Sequence, residues 1–410
     1  MKKLCLLTIV LVFALIGCQV NQFSEPSVIA SSRPATATSP IATGLATLTK
    51  DIGSSSITRC LNLLKGPSEG VSFSGRLIIE SDDPHTVYLF NLESKTQTLF
   101  DDSQVTNIQV SPDRNWIAYI KDDSATANEW LMVQSGDGSK SYKFPTRSEE
   151  WQSISHWLSN EVLVLWNHTV PLDNIVLFSP FTGSKEFMPN EYPDILPVDD
   201  DWDFYWPSIT IYSPSLTELL YVAKEGDSFK PGYSKLVLWN IEDKQAVTEV
   251  MEFGYSIVPP VWNSKGDGAL FVKSVEGYDP PVAHDELFFL SSAGEIRQLT
   301  HLIDNFEYAR ILNYSLSPDE KYLAMVLETR LLEGRELERK LLILDMLSLQ
   351  VKDLCLSPDR FTPLIWSPDE YKLTMSQSLQ TGNLRTIVVD TINESGFEIV
   401  ENFRPRGWLR

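Results

Sequence analysis

Cysteine and histidine are scarce, with four cysteines and five histidines in 410 residues. So few cysteines exclude a small scaffold stapled by disulfides, and no two of them have the Cys-x-x-Cys spacing of a redox or zinc site. His85, His156, His168, His284 and His301 include no His-x-x-x-His pair, so no local metal-binding motif exists. Base is also in short supply: 34 Lys and Arg stand against 55 Asp and Glu, a formal net charge of −21. An acid surplus repels phosphate backbones and anionic headgroups, which excludes nucleic acid and a polybasic membrane patch from the expected partners. Phosphate loops of the Gly-x-x-x-x-Gly-Lys or strand-borne Gly-x-Gly-x-x-Gly type are missing, and no cofactor is expected. The one long apolar run, Leu4 to Ile16 broken only by Thr8, is too short to span a bilayer. With 43% hydrophobic and 22% charged residues, the chain is neither a polytopic membrane protein nor a wholly disordered acidic one.

What is present begins with an address. Lys2 and Lys3 precede the apolar run, as in an export signal. The run ends in Leu15-Ile16-Gly17-Cys18, which resembles the lipobox of bacterial lipoproteins. The resemblance implies a signal peptide over residues 1–17 and an acyl anchor on Cys18, placing the protein outside the cytoplasm on a bacterial membrane, at the cell surface or in the periplasm. Two or more acyl chains at about 0.8 kcal/mol per buried CH2 hold far more durably than one. Gln19 is not the aspartate that resembles an inner-membrane retention signal. Loss of Lys2 and Lys3 with the leader takes the net charge from −21 to −23. Cys60 and Cys355 then remain in a compartment where disulfides persist; pairing is expected, two buried thiols being the alternative. Residues 18–59 read as an acylated, disordered tether, because Ser24 to Thr58 is dominated by Ser, Thr, Ala, Pro and Gly and has too few large apolar residues to offset ordering entropy. Its 41 residues after Cys18 would span about 35 Å r.m.s.. Residues 60–73 form a lead-in.

The remainder repeats. Val110-Ser111-Pro112-Asp113, Leu316-Ser317-Pro318-Asp319 and Trp366-Ser367-Pro368-Asp369 each lead into an apolar strand, and weaker copies start at Trp157, Tyr212 and Trp262. Adding Trp408 completes a series with gaps of 47, 55, 50, 54, 50 and 42 residues. A period near 50 fits one four-stranded blade per repeat. Serine or asparagine suits the start of a type I turn, proline presets φ, and aspartate bonds nearby amides, so Asp113, Asp319 and Asp369 are read as turn formers rather than catalysts. Ser357-Pro358-Asp359 is out of register, between an outer strand and the next inner one. Third strands include Trp130-Leu131-Met132-Val133, Leu236-Val237-Leu238-Trp239 and Leu341-Leu342-Ile343-Leu344. At the ends, Arg76 to Leu99 supplies three strands with no first strand, and Arg406-Gly407-Trp408-Leu409-Arg410 is a first strand with nothing after it. The expectation is an all-β, seven-bladed propeller over residues 74–410, closed by the C-terminal strand in the N-terminal blade.

The Ser-Pro-Asp turn before an apolar strand resembles the TolB-like, WD-repeat-like propellers of bacterial envelope proteins, and is similar to the propeller of dipeptidyl peptidase IV relatives. Arg114, Glu320 and Glu370 stand where glycine follows the aspartate in that pattern, and Gly266 alone keeps it. Gly66-Pro67-Ser68-Glu69-Gly70 matches Gly-x-Ser-x-Gly but lacks the strand and helix of a nucleophile elbow, and is read as a turn. The most unusual composition is Asp199-Asp200-Asp201-Trp202-Asp203-Phe204-Tyr205-Trp206. Phe204 and Thr210 occupy the glycine and glutamate positions of a calcium loop, so none is expected. In a propeller this connection shares a face with Tyr278, Asp279, His284 and Asp285. Aromatic faces beside carboxylates suit sugar or peptide ligands, so Trp202, Asp203, Tyr205, Trp206, Tyr278, Asp279, His284 and Asp285 are the candidate binding residues. The alternative is aromatics packed under a long loop with solvated aspartates. A membrane-anchored module binding a protein, peptide or glycan is therefore expected, ahead of a carbohydrate-active lyase or hydrolase using funnel carboxylates or a structural subunit of an envelope assembly.

Overall fold

The computed structural model describes residues 60–410 except 66–72, 82–85, 102–103, 124–127, 147–152, 167–174, 188–209, 225–233, 251–257, 276–283, 331–336, 369–370 and 380–381. Cys18, the rest of the expected tether over residues 18–59, and Gly66 to Gly70 lie outside the described residues. Among the described residues twenty-nine strands form seven sheets. A lead strand, β1 (Asn62–Lys65), precedes blade 1, whose chain-order strands are β2 (Arg76–Ser81), β3 (Val87–Asn91) and β4 (Thr96–Asp101). Blade 2 is β5 (Gln104–Val110), β6 (Trp116–Asp123), β7 (Asn128–Ser135) and β8 (Ser141–Pro145). Blade 3 is β9 (Ser153–Trp157), β10 (Leu163–Trp166), β11 (Ile175–Ser179) and β12 (Ser184–Phe187). Blade 4 is β13 (Thr210–Tyr212), β14 (Glu218–Lys224), β15 (Ser234–Asn240) and β16 (Gln245–Val250). Blade 5 is β17 (Val261–Trp262), β18 (Gly268–Ser274), β19 (Asp285–Ser291) and β20 (Ile296–Gln298). Blade 6 is β21 (Tyr308–Leu316), β22 (Tyr322–Arg330), β23 (Leu337–Asp345) and β24 (Val351–Asp353). Blade 7 is β25 (Ile365–Trp366), β26 (Lys372–Ser378), β27 (Leu384–Asp390) and β28 (Ser395–Glu401), and β29 (Phe403–Leu409) ends the chain.

The expected seven-bladed propeller and its closure are both present. β29 pairs antiparallel with β2, Leu77 opposite Trp408, and completes the sheet β29-β2-β3-β4. Gly407 is required there, because a Cβ would stand 2.3 Å from Val110 of blade 2. The period of 50 is visible as a hydrogen bond that steps from blade to blade. Trp157 Nε1 donates to the Gln109 carbonyl at 3.3 Å, Trp262 to Ile211 at 3.0 Å and Trp366 to Ser315 at 3.0 Å, each a first strand reaching the first strand before it. Trp408 Nε1 donates to the Ser74 carbonyl at 3.3 Å across the closure. Tyr314 of blade 6 does equivalent work, its hydroxyl 2.9 Å from the Pro259 carbonyl and 3.0 Å from that of Leu270. Each ring thus buries its apolar face between blades while its polar atom satisfies a backbone carbonyl.

The turns behave as their chemistry requires. Ser111 and Ser317 are buried, donate to Asp113 and Asp319, and accept the amides of Trp116 and Tyr322. The residue after the aspartate is left-handed, with φ 63° at Arg114 and 60° at Glu320, a conformation that glycine takes without a Cβ penalty. Neighbouring turns also touch: the Asp113 amide donates to Asn160 and the Ser264 amide to Glu320. A second repeated turn joins third and fourth strands. Asn91, Asn240, Asp345 and Asp390 each accept one or two amides from the next residues, before a left-handed Lys95, Lys244, Leu349 and Glu394.

Within the lead-in, β1 runs parallel to β28, making blade 7 five-stranded. Leu61 and Leu63 pack on the core between blades 6 and 7, and Gly396 leaves the space that Leu63 fills. Cys60 is disulfide-bonded to Cys355, with Cα atoms 4.8 Å apart and 295 residues between them in sequence. Replacing both cysteines by serine should lower the unfolding free energy by about 2–4 kcal/mol, and alkylation of the denatured protein should find two more thiols after reduction than before it. Deleting residues 404–410 opens blade 1 to solvent; the melting temperature should fall by roughly 10 °C or more, and an unchanged transition would overturn the closure.

Candidate functional site

Four antiparallel strands per blade put the first–second and third–fourth turns on one face. The second–third loops and the connections between blades share the other, here termed the connection face. The candidate binding residues divide sharply on this frame. Trp202, Asp203, Tyr205 and Trp206, in the connection from β12 to β13, lie outside the described residues, as do Tyr278 and Asp279 in the loop from β18 to β19. His284 and Asp285 are described, at the start of β19.

Both belong to the seam between blades 5 and 6. His284 is buried, forms a parallel bridge with Ala309, and places Nε2 2.6 Å from the Glu307 carbonyl. Asp285 Oδ2 accepts the Ile311 amide at 3.0 Å. That amide belongs to β21 beside a register shift between Ile311 and Asn313, where the pairing with β22 is interrupted. The next residue, Glu286, is fully buried and accepts the Thr300 hydroxyl and the Ile303 amide, while Thr300 in turn accepts the Leu287 amide. Three consecutive polar side chains therefore fasten a strand of blade 5 to the entry of blade 6. Burial pushes the Asp285 carboxyl up to about 6, with Glu286 adding to the rise; the Ile311 amide, Arg310 and His284 act against it. The sequence conceals this role, because His284 and Asp285 read there as candidate ligand residues. The signal available in sequence is Thr300-His301 at the end of the same blade, where a polar pair interrupts an apolar stretch before Leu302.

Elsewhere on the ring, titratable groups are also engaged by neighbours. Lys121 pairs with Asp101 at 2.8 Å, and Tyr119 Oη lies 3.4 Å from Asp101 Oδ2. Burial and that carboxylate push the Tyr119 phenol well above its ordinary value. Burial holds the His156 imidazole down at about 4, so it is neutral at pH 7. Among the described residues no group of three or more His, Cys, Asp or Glu side chains is arranged to hold a metal ion. No described helix is long and apolar enough to cross a membrane.

No protein-family model matches the chain, and no curated protein matches it in sequence. Solved structures do resemble it. TolB from Acinetobacter baumannii aligns with TM-score 0.42 and 12% identity, covering 82% of this chain and 67% of its own. The acylaminoacyl peptidase of Pyrococcus horikoshii aligns with TM-score 0.51 and 14% identity over 77% of this chain and 47% of the peptidase, so this chain spans about half of that enzyme. An oligogalacturonate lyase in complex with manganese aligns with TM-score 0.51 and 10% identity, covering 82% of this chain and 85% of the lyase. At such identities the likeness is one of fold: a seven-bladed β-propeller distantly similar to TolB, WD-like and other propellers. Enzymes and non-enzymes are both among these neighbours.

The sign of the Asp285 shift gives a test. A carboxyl whose folded value lies above its unfolded one, near 3.8, binds more protons when folded between the two. Stability linked to this group is therefore greatest below pH 4 and is lost as pH rises through 6. Asp285→Asn keeps an acceptor for Ile311 without the charge. Relative to wild type it should gain on the order of 1–3 kcal/mol between pH 4 and pH 7, measured by urea unfolding. A difference that is flat with pH would remove the assignment.

Proposed function

We propose that the chain is a lipid-anchored, extracytoplasmic propeller that binds a protein, peptide or glycan through loops of its connection face, without catalysing a reaction. The observation that carries this reading is the disulfide between Cys60 and Cys355. Such bonds persist in oxidising compartments outside the cytoplasm, in accord with the export-like leader and lipobox-like Leu15-Ile16-Gly17-Cys18. The bond sits where the tether would meet the ring, so an anchored molecule would be held at its rim with both faces free. Binding is favoured by chemistry at the connection face. In sequence the aromatic and acidic run Trp202 to Trp206 falls in the connection between β12 and β13, and the segment bearing Tyr278 and Asp279 is followed by His284, which the seam fixes firmly. Rings supply apolar contact and carboxylates accept hydrogen bonds, the combination that sugar and peptide ligands require.

Two measurements test the proposal. Cys18→Ala should abolish incorporation of labelled fatty acid and shift the protein from the membrane to the soluble extracytoplasmic fraction; retention of both would refute the anchor. Cross-linking in the native membrane should capture a partner. Trp202→Ala with Trp206→Ala should reduce that capture by about tenfold or more without changing the melting temperature. Unchanged capture would move the contact elsewhere on the ring.

A further inference from the structure

The first–second turns allow a comparison between blades. Four of them place one residue in the left-handed region: Arg114 at φ 63°, Leu216 at 60°, Gly266 at 73° and Glu320 at 60°. Glycine takes this conformation freely, whereas any other residue is opposed by its Cβ. Two of the three side chains have a visible compensation. Leu216 packs on the core between blades 3 and 4, and Glu320 accepts the Ser264 amide of blade 5. Arg114 has none, for among the described residues no hydrogen bond or ion pair engages its guanidinium. A strained residue kept without a structural return points to function.

That guanidinium is nevertheless held against the protein. Arg114 is half-buried, and burial first, then the neighbouring Arg410, push its guanidinium down from its ordinary value. Arginine stays charged all the same, so two like charges are kept together and one of them is poorly hydrated. Backbone contacts fix the arrangement. Arg410 follows β29 and Arg114 lies in the turn after β5, where the innermost strands of blades 1 and 2 end. The Arg410 amide donates to the Arg114 carbonyl at 3.4 Å, the Gly136 amide to the Asn115 carbonyl at 2.7 Å, and Arg76 Nη2 to the Arg410 carbonyl at 3.3 Å. Acid is present as well, in Asp113, Asp137, Glu161 on the next turn and the carboxyl end at Arg410. Asp113 is taken up by the Ser111 hydroxyl at 2.6 Å and by Asn115 at 3.1 and 2.9 Å, with Arg410 near enough to act on it. Asp137 is taken up by Ser135 and Ser139. What is unmet is therefore hydrogen bonding rather than net charge: the N–H fork of Arg114 finds no acceptor among the described residues.

We propose that Arg114 is an anion-binding residue whose guanidinium fork, with Arg410 beside it, takes the carboxylate of a small organic acid. A fork matches a carboxylate two hydrogen bonds at a time, and the bound charge offsets the repulsion between the two arginines. A monoanion suits this acidic chain better than a phosphate dianion, which the surrounding carboxylates would repel more strongly. Arg410 and Asn115 are exposed, so the fork can be reached from solvent. The site lies on the face opposite the connection face and stands or falls independently of the binding loops proposed there.

NMR of the arginine Nε–H groups in the purified full chain tests this, with the Arg114 signal identified by its loss in Arg114→Gly. Acetate, exchanged for chloride at constant ionic strength, should shift that signal and reach half of its full effect at or below about 10 mM. Acetamide, which has the shape without the charge, should leave it in place. The same acetate should raise the melting temperature of the wild type by about 1–3 °C over chloride and that of Arg114→Gly not at all. Arg114→Lys keeps the charge without the fork and should weaken acetate binding about tenfold. In chloride alone, Arg114→Gly should melt above the wild type, because it removes both the left-handed side chain and the crowded charge. A lower melting temperature would make Arg114 a packing residue through its aliphatic stem and overturn the proposal. So would a shift still rising linearly at about 100 mM acetate, or an equal response to chloride. Tighter binding of inorganic phosphate than of acetate would overturn the carboxylate assignment and give the fork to phosphate.

Discussion

The pairing of β29 with β2 is the contact on which the rest depends. Each blade presents two apolar faces, and each face is covered by the next blade, so an open ring would leave two sheets half bare. Closure joins Phe403–Leu409 to Arg76–Ser81, a separation of more than three hundred residues. Ordering so distant a pair costs loop entropy that grows only slowly with length. The return is large: Trp408, Leu409 and Leu77 become fully buried, and the cores on both sides of blade 1 are completed. The indole hydrogen bonds then make the seams directional. An apolar seam alone tolerates sliding; a tryptophan that must find one carbonyl on the preceding blade does not.

A pull on the chain before Cys60 would threaten this closure if it reached β2. The lead-in prevents that. Any tension on the chain before Cys60 passes through the disulfide to Cys355, between blades 6 and 7, and not into the strand that β29 holds. β1 adds a second point of attachment, four residues paired with β28. The N-terminal and C-terminal segments thus divide the work, one closing the ring and the other isolating that closure from what precedes it.

How much of this was legible depended on whether chemistry repeats. The Ser-Pro-Asp turn recurs in blades 2, 6 and 7 because a first hairpin is well served by a buried hydroxyl, a φ-fixing proline and an amide acceptor, so register, blade number and closure could be read from Ser111, Ser317 and Ser367 outward. The tryptophan series gave the same register without revealing its role, since an indole reaching a carbonyl some fifty residues back leaves no local trace. The repeated cap in the third–fourth turns at Asn91, Asn240, Asp345 and Asp390 went unread because the left-handed residue four positions on is Lys, Leu or Glu, with no glycine to announce it. β1 was hidden by its length, four residues whose strand character comes from β28. His284 and Asp285 read as candidate ligand residues, yet their neighbours are the backbone groups of Glu307 and Ile311, a relation set by how two blades meet. The remaining candidate residues, Trp202 to Trp206 with Tyr278 and Asp279, fall in connections outside the described residues.

Charge shows why composition and geometry must be taken together. A chain of net −21 is expected to repel anions. Within one or two Debye lengths, however, the field is set by which side chains the fold collects. The connection from β24 to β25 brings Asp359 between Arg339 of blade 6 and Arg404 of blade 1. That carboxylate lies 3.3 Å from Arg404 and 4.0 Å from Arg339. An aspartate that is out of register with the turn series in sequence thereby links blade 6 to blade 1, a role fixed by where the connection passes and not by the local motif.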